Sequence, residues 1–450
     1  MIRKTPLEQW IASKIGATDI PLSRAAIESY QLRTLRETIQ WAADRSQFYR
    51  KRLRGCSAAI RSLDDLKSIP FTTADDLRHG YLRFLCTSQN EIERIVTLPT
   101  SGTTGEPKRI CFTADEQESI IDFFHHGMAT LTKPGDRVLI LLPGGRPGSV
   151  GDLLVSALAR LGAVGIPHGP VDDPHSTLRI MARGRVDILI GIPTQVLALA
   201  RTGQELAAPP KRVLLSTDYV SDAVMRALEA LWHCEVFAHY GMTEMGFGGG
   251  VQCEARDGFH MREADLYFEI VDPLGGRQLA DGEYGEVVFT TLTRHGMPLI
   301  RYRTGDISRF LPDACRCGTV LKSLDRVECR MAAQKRISTG EEIGPPDLEE
   351  AIFPISGVLD FSAALSSQNG KEHLSVAIFT LTPHKDTIAQ EVLDALGSVN
   401  AIRNATAGGT LSISIEVNAA THANANRTAK RIIADEQSIM DAQLFTEQVR

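Results

Sequence analysis

Several features that define common protein classes are missing from this chain of 450 residues. No apolar run approaches the roughly 18 residues of a membrane-spanning helix, so the sequence predicts no transmembrane segment. The first residues, MIRKTPLEQWIASKIG, lack an apolar signal region followed by a small-residue cleavage site. We therefore expect the protein in the cytoplasm. Internal repeats and low-complexity tracts are also missing.

The chain has little excess charge of either sign. It carries 49 Lys and Arg against 55 Asp and Glu, a net charge of −6, which argues against a nucleic-acid partner bound by bulk charge. Apolar residues make up 43% and charged residues 23%, which excludes a disordered or collagenous chain. The length predicts two or three domains with a large core.

Cysteine is scarce, with eight residues, too few for a disulfide scaffold. In a cytosolic chain these are buried thiols, reactive thiols or metal ligands. Three of them and one histidine suggest a constellation: Cys253, His260, Cys315 and Cys317. Three thiolates and one imidazole are a usual tetrahedral zinc set, although this spacing is not that of a common zinc finger. Structural zinc, unligated thiols and a redox pair all remain open from the residues alone.

The apolar pattern predicts an α/β fold that begins with a helix over residues 24–53. From residue 137 to 240, short apolar strands alternate with helices, which is typical of βαβ units and a mainly parallel sheet. From residue 266, strands separated by Gly-rich turns predict an antiparallel β subdomain. Beyond about residue 325 a smaller α+β module follows, with a terminal helix expected near Thr428. We predict a large N-terminal domain over residues 1–325 and a small, mobile C-terminal domain over residues 326–450.

The strongest chemical signal is TLPTSGTTGEPKRICFT, residues 97–113. Glycines let the backbone approach an anion closely, and hydroxyls and backbone N–H groups donate to phosphate oxygens. Lys108 adds a positive charge at the end of the motif. The spacing is not that of a Walker A loop. A polar surface turn is the plain alternative. The candidate phosphate-binding residues before the lysine are Thr100, Ser101, Gly102, Thr103, Thr104 and Gly105.

Three motifs in order resemble those of the adenylate-forming enzymes, the acyl-CoA synthetase and ligase superfamily. SGTTGEPK resembles its phosphate loop, YGMTE at residues 240–244 its YGxTE segment, and RYRTGD at residues 301–306 its RYxTGD segment. The segments LDDLKSIPFTT and GEYGEVVFTTLTRHGMPLIRYRTGD are similar to the phenylacetate–CoA ligase branch. The resemblance runs from about residue 30 to 325, and more weakly to the end.

The resemblance implies activation of a carboxylic acid, aromatic by branch, by ATP to an acyl-adenylate and its transfer to a thiol such as coenzyme A. It implies that Lys108 and Thr243 contact phosphate and that Glu244 holds Mg²⁺, a cation that prefers carboxylate oxygens. Tyr240 would stack near adenine and Asp306 would accept the ribose hydroxyls. The remaining nucleotide-binding candidates implied are Ser216, Thr217, Asp218, Gly241, Met242 and Arg326. The resemblance also implies that the Cys and His positions can hold a structural metal, as similar positions can in this branch.

Two segments depart from the family. The joint between the domains, LDRVEC at residues 324–329, keeps Arg326 but few of the expected acidic residues. Near the C-terminus, the position of a charge-neutralising lysine is occupied by Thr428. Lys430 or Arg427 could substitute in a shifted register, although on a helix they would point away by about 200° and 100°. Losing one charged donor to a transition state costs about 10²–10³ in rate.

Three hypotheses follow from these departures. Lys430, the candidate catalytic lysine, or Arg427 restores ordinary ligase activity, or adenylation is slow or absent and only a half-reaction remains. In the third, the acceptor is unusual, such as a carrier-protein thiol or an amine. The rival from another class is a non-catalytic nucleotide-binding or partner-binding protein. The expected partners are a small carboxylic acid and a thiol, with neither nucleic acid nor membrane, and a homodimer is left open.

Overall fold

The computed structural model describes residues 2–98, 106–203, 206–368, 371–381, 385–419 and 431–435. The chain divides into two compact units, each built from several stretches of sequence. The first unit comprises residues 1–135, 145–165 and 237–328. The second comprises residues 136–144, 166–236 and 329–450. The domain boundary predicted at residue 325 stays a prediction.

The described residues form helices whose ends are set mostly by hydroxyl, carboxylate, glycine or proline residues. The helices are α1 (Pro6–Ile15), α2 (Arg24–Arg45), α3 (Tyr49–Arg52), α4 (Cys56–Ala59), α5 (Ala74–Arg78), α6 (Ala114–Met128), α7 (Val150–Arg160), α8 (Pro174–Gly184), α9 (Pro193–Thr202), α10 (Asp222–Trp232), α11 (Pro345–Ile352), α12 (Lys385–Leu396) and α13 (Asn400–Ala407). None of these helices is both long and apolar enough to cross a membrane.

The strands are short in the middle of the chain and longer towards its end. They are β1 (Ile92–Leu98), β2 (Lys108–Thr113), β3 (Arg137–Ile140), β4 (Val164–Pro167), β5 (Ile188–Gly191), β6 (Arg212–Leu215), β7 (Glu235–Tyr240), β8 (Gly250–Gln252), β9 (Phe259–Met261), β10 (Leu266–Val271), β11 (Gly285–Thr291), β12 (Tyr302–Ser308), β13 (Ser323–Leu324), β14 (Cys329–Arg330), β15 (Lys335–Arg336), β16 (Glu342–Ile343), β17 (Val358–Gln368), β18 (Lys371–Thr380), β19 (Leu411–Ala419) and β20 (Ile433–Ala434).

The first unit is dominated by antiparallel pairing. Strand β1 pairs with β2, β10 with β11, and β11 with β12. The C-terminal end of β7 pairs with β8, β8 with β9, and β9 with β13. Helix α6 begins with a capping box in which Thr113 and Glu116 exchange hydrogen bonds of 3.0 and 3.3 Å. The second oxygen of Glu116 accepts from the backbone of Gly296 at 2.7 Å, so the start of α6 is tied to the segment before β12.

The second unit contains the parallel sheet that the sequence predicts. Strand β3 pairs in parallel with β5, and β5 with β6. Helix α9 is buried over almost its whole length, in keeping with its run of Leu, Ala and Val. The C-terminal part forms a mixed sheet in which β17 pairs antiparallel with β18, while β18–β19 and β17–β20 are parallel.

The predicted fold class, an α/β fold with parallel and antiparallel parts, is confirmed, and two details differ. Residues 24–53, expected as one helix, break at Ser46, whose hydroxyl donates to the carbonyl of Arg83 and accepts from the backbone N–H of Tyr49, the first residue of α3. The prediction of a terminal helix from Thr428 is wrong at residues 433–434. These residues form β20 and pair with Ala363 and Ala364. Tertiary pairing with β17 overrides local helix propensity there.

Candidate active site

Two of the predicted catalytic residues meet in the first unit. The ammonium of Lys108, the first residue of β2, donates to Oε1 of Glu244 in a close ion pair. The Tyr302 hydroxyl donates to the same oxygen at 3.1 Å and lies 3.5 Å from the Lys108 nitrogen. The phosphate-loop, YGMTE and RYRTGD segments therefore each supply one member of a single buried cluster.

The carboxylate of Glu244 is charged although it is buried. Its residue is 1% exposed, and the side chain of Lys108 is 18% exposed. Burial alone would raise the pKa of Glu244, but the ammonium of Lys108 and the Tyr302 hydroxyl outweigh burial, so its pKa lies below the ordinary value. In such a buried ion pair, the ammonium suits a phosphate oxygen and the carboxylate suits a hard cation.

The backbone around Glu244 is held in a tight turn. Residues Thr243–Met245 form a 3₁₀ turn after β7, and the buried guanidinium of Arg294 donates to the carbonyl of Glu244 at 2.9 Å. Gly241 lies so close to the carbonyl of Phe247 that any Cβ there would clash. Glycine is therefore required on steric grounds at this position of the YGMTE segment.

Tyr240 and Asp306 also come together in the first unit. The Tyr240 hydroxyl donates to Oδ2 of Asp306 at 3.1 Å, and the two residues are 7% and 4% exposed. The hydroxyl of Thr304 accepts from the backbone of Asp306 at 3.0 Å and donates to the carbonyl of Val287, which fixes this segment. An aromatic ring beside an acceptor carboxylate is an arrangement that suits a nucleoside, with a face for the base and an acceptor for ribose hydroxyls.

The Ser216–Asp218 segment lies in the second unit, directly after β6. Thr217 has φ of 79°, an unfavourable conformation for a β-branched residue and a mark of backbone held in one orientation. The carboxylate of Asp218 accepts from the backbone of Tyr219 at 2.9 Å and from the backbone of Arg431 at 3.2 Å. The segment therefore joins the carboxyl edge of the parallel strands to the described end of the chain, at residues 431–435.

Some predicted site residues lie outside the described part of the chain. These are residues 100–105 of the phosphate loop, together with Arg427, Thr428 and Lys430. Arg326 is described and half-buried: its backbone donates to Asp325 at 2.8 Å and its carbonyl accepts from Ser308. Met242 and Thr243 are half-buried beside Glu244. The roles of all these residues stay predictions.

The predicted metal ligands converge in the first unit. One ligand atom each from Cys253, His260, Cys315 and Cys317 lies within 4.8 Å of all the others, and all four residues are buried. The sulfurs of Cys253 and Cys315 are 3.6 Å apart, and Nε2 of His260 lies 3.5 Å from Cys317 Sγ. A tetrahedral zinc with bonds of about 2.3 Å to sulfur and about 2.0 Å to nitrogen requires separations of about 3.8 and 3.5 Å.

The surroundings of this cluster also suit a metal. The other ring nitrogen of His260 lies 3.3 Å from the hydroxyl of Ser323, a contact that orients the imidazole. Backbone N–H groups point at the sulfurs of Cys253 and Cys315 at 3.4 and 3.5 Å. All four donors therefore fit a zinc ion, whose chemistry at such a closed site would be structural rather than catalytic.

Two residues that contact Glu244 carry no sequence prediction of their own. Tyr302 stands inside the RYRTGD motif, yet its hydrogen bond to Glu244 cannot be inferred from the sequence because 58 residues separate them. Arg294 is 7% exposed and donates to the carbonyls of Glu244 and Cys111. The sequence signal for Arg294 is its position among the apolar and small residues of TLTRHGMPLI. An arginine in such a segment is expected to be buried only where acceptors surround it.

Residues 75–293 match the family model described as AMP-binding enzyme. This match shows that the chain contains the AMP-binding domain that the three motifs predict. The predicted enzyme class, an AMP-forming acid–thiol ligase, is confirmed with it. The chain is 28% identical over 362 residues to phenylacetate-coenzyme A ligase of Pseudomonas putida, covering 77% of this chain and 80% of that one. It is 26% identical to the enzyme of the same name from Thermus thermophilus, covering 83% and 85%.

Solved structures agree on the fold. A crystal structure of 2-hydroxyisobutyryl-CoA ligase in the postadenylation state, in complex with 2-HIB-AMP, matches with a TM-score of 0.79 and 20% identity. The match covers 95% of this chain and 94% of that chain. The anthranilate CoA ligase AuaEII, in complex with anthranoyl-AMP, matches with a TM-score of 0.52 and 14% identity over 78% of this chain and 66% of that chain.

Proposed function

We propose that the protein activates an aromatic carboxylic acid with ATP and transfers the acyl group to the thiol of coenzyme A. The observation that carries the proposal is the buried cluster of Lys108, Glu244 and Tyr302, which joins the three motif segments. The relatives named as phenylacetate-coenzyme A ligases support both the reaction and the aromatic acid.

The reaction has two steps. A carboxylate oxygen attacks the α-phosphorus of ATP, the new O–P bond forms as the bond to pyrophosphate breaks, and pyrophosphate leaves. The thiol of coenzyme A then loses its proton to solvent, its sulfur attacks the acyl carbonyl, and AMP leaves with the bonding electron pair. The first step needs positioning and charge neutralisation above all.

In the first step, the ion pair between Lys108 and Glu244 would break, and each residue would bind a new partner. The ammonium of Lys108 would move from Glu244 to a phosphate oxygen, and Tyr302 would continue to hold Oε1 of Glu244. The freed carboxylate fits Mg²⁺, which when bound would neutralise phosphate charge. The buried setting strengthens each of these contacts relative to water.

We assign nucleoside binding to Tyr240 and Asp306. Tyr240 would present its ring to adenine, and Asp306 would release the Tyr240 hydroxyl to accept from the ribose. Met242 and Thr243 would approach the α-phosphate, because they precede Glu244 at the same turn. The Ser216–Asp218 segment belongs to the second unit, and its part in nucleotide binding stays a prediction.

The acid site is proposed near His239 and Phe123, whose rings lie 6.5 Å apart. Burial, with the nearby charge of Arg262, lowers the pKa of His239 to about 4, so the ring is neutral at physiological pH. Gly248 packs directly against the ring of Phe123, because a Cβ there would collide with it. A neutral imidazole and aromatic rings favour an acid with an aryl group over an acid with a second charged group.

Lys430 remains the proposed source of the missing positive charge in the first step. A Lys430→Ala variant with unchanged ATP–pyrophosphate exchange would exclude it. The observation that favours the rival function is Thr428 at the expected lysine position. That rival, a nucleotide-binding protein without adenylation or one limited to a half-reaction, predicts AMP binding with no exchange for any acid. A carrier-protein thiol or an amine as acceptor stays a prediction, as do the cytoplasmic location and a homodimer.

We also propose that Cys253, His260, Cys315 and Cys317 bind one structural zinc ion. The test is metal analysis of protein purified without chelator. The proposal predicts about one zinc per chain, loss of zinc in Cys315→Ser, and a lowered melting temperature. Less than about half an equivalent of zinc, with no change in melting temperature in the variant, would contradict it.

The activity is tested by ATP–pyrophosphate exchange across a panel of aryl acids. Exchange that depends on the acid and collapses in Lys108→Ala and Glu244→Gln supports the proposal. Thioester formation with coenzyme A, followed by mass spectrometry, identifies the acceptor. Absence of exchange for every acid, with AMP still bound, would overturn the proposal in favour of the rival.

A further inference from the structure

One side of the candidate zinc cluster is fixed by a β-sheet, and the other side is formed by two loops. His260 lies in β9, which pairs with β13 at Ser323. The three cysteines lie in the first loop, residues 253–258 between β8 and β9, and in the second loop, residues 309–322 between β12 and β13. Because all four ligand residues are buried, a metal ion enters or leaves when these loops move apart. The contacts that hold the two loops together therefore set the rate of metal exchange.

The N-terminal segment of the chain contacts the first loop. We call residues 3–8, which include the first turn of α1, the N-terminal strap. The backbone N–H of Arg3 donates to Oε2 of Glu254 at 2.8 Å, and the side-chain Nε of Arg3 donates to Oε1 at 2.5 Å. Glu254 directly follows the candidate ligand Cys253 in the sequence. The strap is therefore bonded to the first loop beside a metal ligand.

The same strap contacts the second loop. Oε2 of Glu8 accepts from the hydroxyl of Thr319 at 2.6 Å and from the backbone N–H of Val320 at 3.0 Å. The backbone N–H of Thr5 donates to the sulfur of Cys317. The N-terminal strap therefore joins the two metal-binding loops, although all three segments are distant from one another in the sequence.

Burial indicates which of these contacts holds the loops most strongly. The side chain of Glu8 is 13% exposed, whereas that of Arg3 is 58% exposed. The two loops are also joined directly by an ion pair between Arg316 and Asp257, whose side chains are 66% and 32% exposed. Exposed ion pairs contribute little, and a largely buried carboxylate that accepts two hydrogen bonds contributes more. Glu8 is therefore the main contact between the strap and the loops.

Helix α1 is anchored in the first unit independently of the zinc cluster. Leu7, Trp10 and Ile11 are buried, and Nε1 of Trp10 donates to Asp122 of α6 at 2.7 Å. These contacts do not involve the carboxylate of Glu8. A substitution at Glu8 should therefore release the second loop while α1 stays in place.

We propose that the N-terminal strap is a clamp that governs how fast zinc enters and leaves the cluster. The inference rests on the zinc site proposed above. The strap acts by holding the two loops together, and metal exchange requires its contacts with the second loop to break. Weakening the clamp therefore speeds both release and uptake of zinc and leaves the set of metal ligands unchanged.

The test follows transfer of zinc from the zinc-loaded protein to an excess of a chelator that changes colour when it binds zinc. For Glu8→Ala we expect release about 10- to 100-fold faster than in the wild type, the range for losing hydrogen bonds to a charged group. Zinc uptake by the metal-free protein should accelerate by a similar factor. Glu8→Gln, which keeps the shape and one carbonyl acceptor, should recover part of the slow release.

Two controls separate the strap from other charges of the first unit. Glu118→Ala is the matched control, because Glu118 is exposed on α6 and pairs with the exposed Arg160 of α7, so release should be unchanged. Arg316→Gln removes the exposed ion pair between the loops and should change release by less than about fivefold. If Glu8→Ala fails to fold, Thr319→Val removes one of the two donors to Glu8 and should speed release about tenfold.

The absorption spectrum of the cobalt-substituted protein reports the ligand set and should be the same in Glu8→Ala and in the wild type. Unchanged release in Glu8→Ala would overturn the inference. Faster release with unchanged uptake would also overturn it, because the strap would then add affinity rather than govern access. Wild-type protein with less than about half an equivalent of zinc would overturn the zinc site first, and this inference with it.

Discussion

Replacing Lys108 by Met tests the buried cluster at the centre of the proposed site. The substitution keeps most of the side-chain volume and removes the only ammonium that pairs with Glu244 among the described residues. The carboxylate of Glu244 would then stay buried with the Tyr302 hydroxyl at 3.1 Å as its remaining side-chain donor. The effect on stability is therefore that of breaking a buried ion pair from one side.

The size of the effect follows from burial. Removing one partner of a buried pair costs about 3–5 kcal/mol, and the 18% exposure of the Lys108 side chain favours the lower figure. With about 2–4 °C per kcal/mol for domains of 150–250 residues, about 3 kcal/mol lowers the melting temperature by roughly 6–12 °C. A loss of this size is easily measured by calorimetry or by fluorescence.

The stability lost in Lys108→Met should also depend on pH. In the wild type the pKa of Glu244 is lowered, so this pair contributes stability above the ordinary glutamate pKa of about 4.3 and loses it on acidification. Without Lys108, burial raises the pKa of Glu244, so the Glu244 carboxylate takes up a proton when the variant folds. The deficit of Lys108→Met relative to wild type should therefore be larger at pH 8 than at pH 5.5.

The matched control removes both charges. In Lys108→Met combined with Glu244→Gln, no charge of this pair is left buried and unpaired, so most of the lost stability should return. Exchange activity should stay absent in the single and the double variant. If Lys108→Met melts within about 1 °C of wild type at both pH values, the buried ion pair does not stabilise the fold and the reasoning is refuted.

Three further predictions concern stability and nucleotide binding. Arg301→Met leaves Glu269 buried beside it and should cost about 3–5 kcal/mol by chemical denaturation, with much of the loss recovered when Glu269 is also replaced by Leu. Because the folded-state pKa of Glu349 is raised to about 8, its contribution falls as pH rises from about 4.5 to 8, so Glu349→Gln should flatten that slope in thermal unfolding. Tyr240→Phe removes the hydrogen bond that Asp306 would give up to the ribose, so AMP binding by calorimetry should not weaken and should tighten by about tenfold at most; weaker binding would mean that the hydroxyl itself contacts the nucleotide.

The sequence is most informative where a motif specifies both residue types and order. Lys108, Glu244 and Asp306 are all identifiable as site residues, because hydroxyl-rich, glycine-rich and acidic segments rarely follow one another in that order by chance. The four candidate zinc ligands stand out by residue chemistry, and their convergence depends on β9 and β13 pairing at His260 and Ser323. Pairing between distant segments is not readable from composition.

The sequence is least informative near residue 431. A basic stretch there favours the start of a helix carrying a catalytic lysine, whereas residues 433–434 form a strand and Arg431 is enclosed by acids 71 and 82 residues away. Local propensity cannot anticipate a partner at that distance, because the burial that selects strand over helix is set by tertiary packing. The same holds for Glu350 of α11, whose carboxylate accepts from the backbone of Asp222 and Ala223 at the start of α10, a contact that depends on the three-dimensional fold.

The central claim is tested most directly by ATP–pyrophosphate exchange with phenylacetate and related aryl acids. The proposed function predicts exchange that requires an acid, falls at least about 100-fold in Lys108→Ala and Glu244→Gln, and stays unchanged in Arg403→Gln, a control at an exposed residue of α13. Acid-independent exchange, or exchange that survives in both site variants, would contradict it.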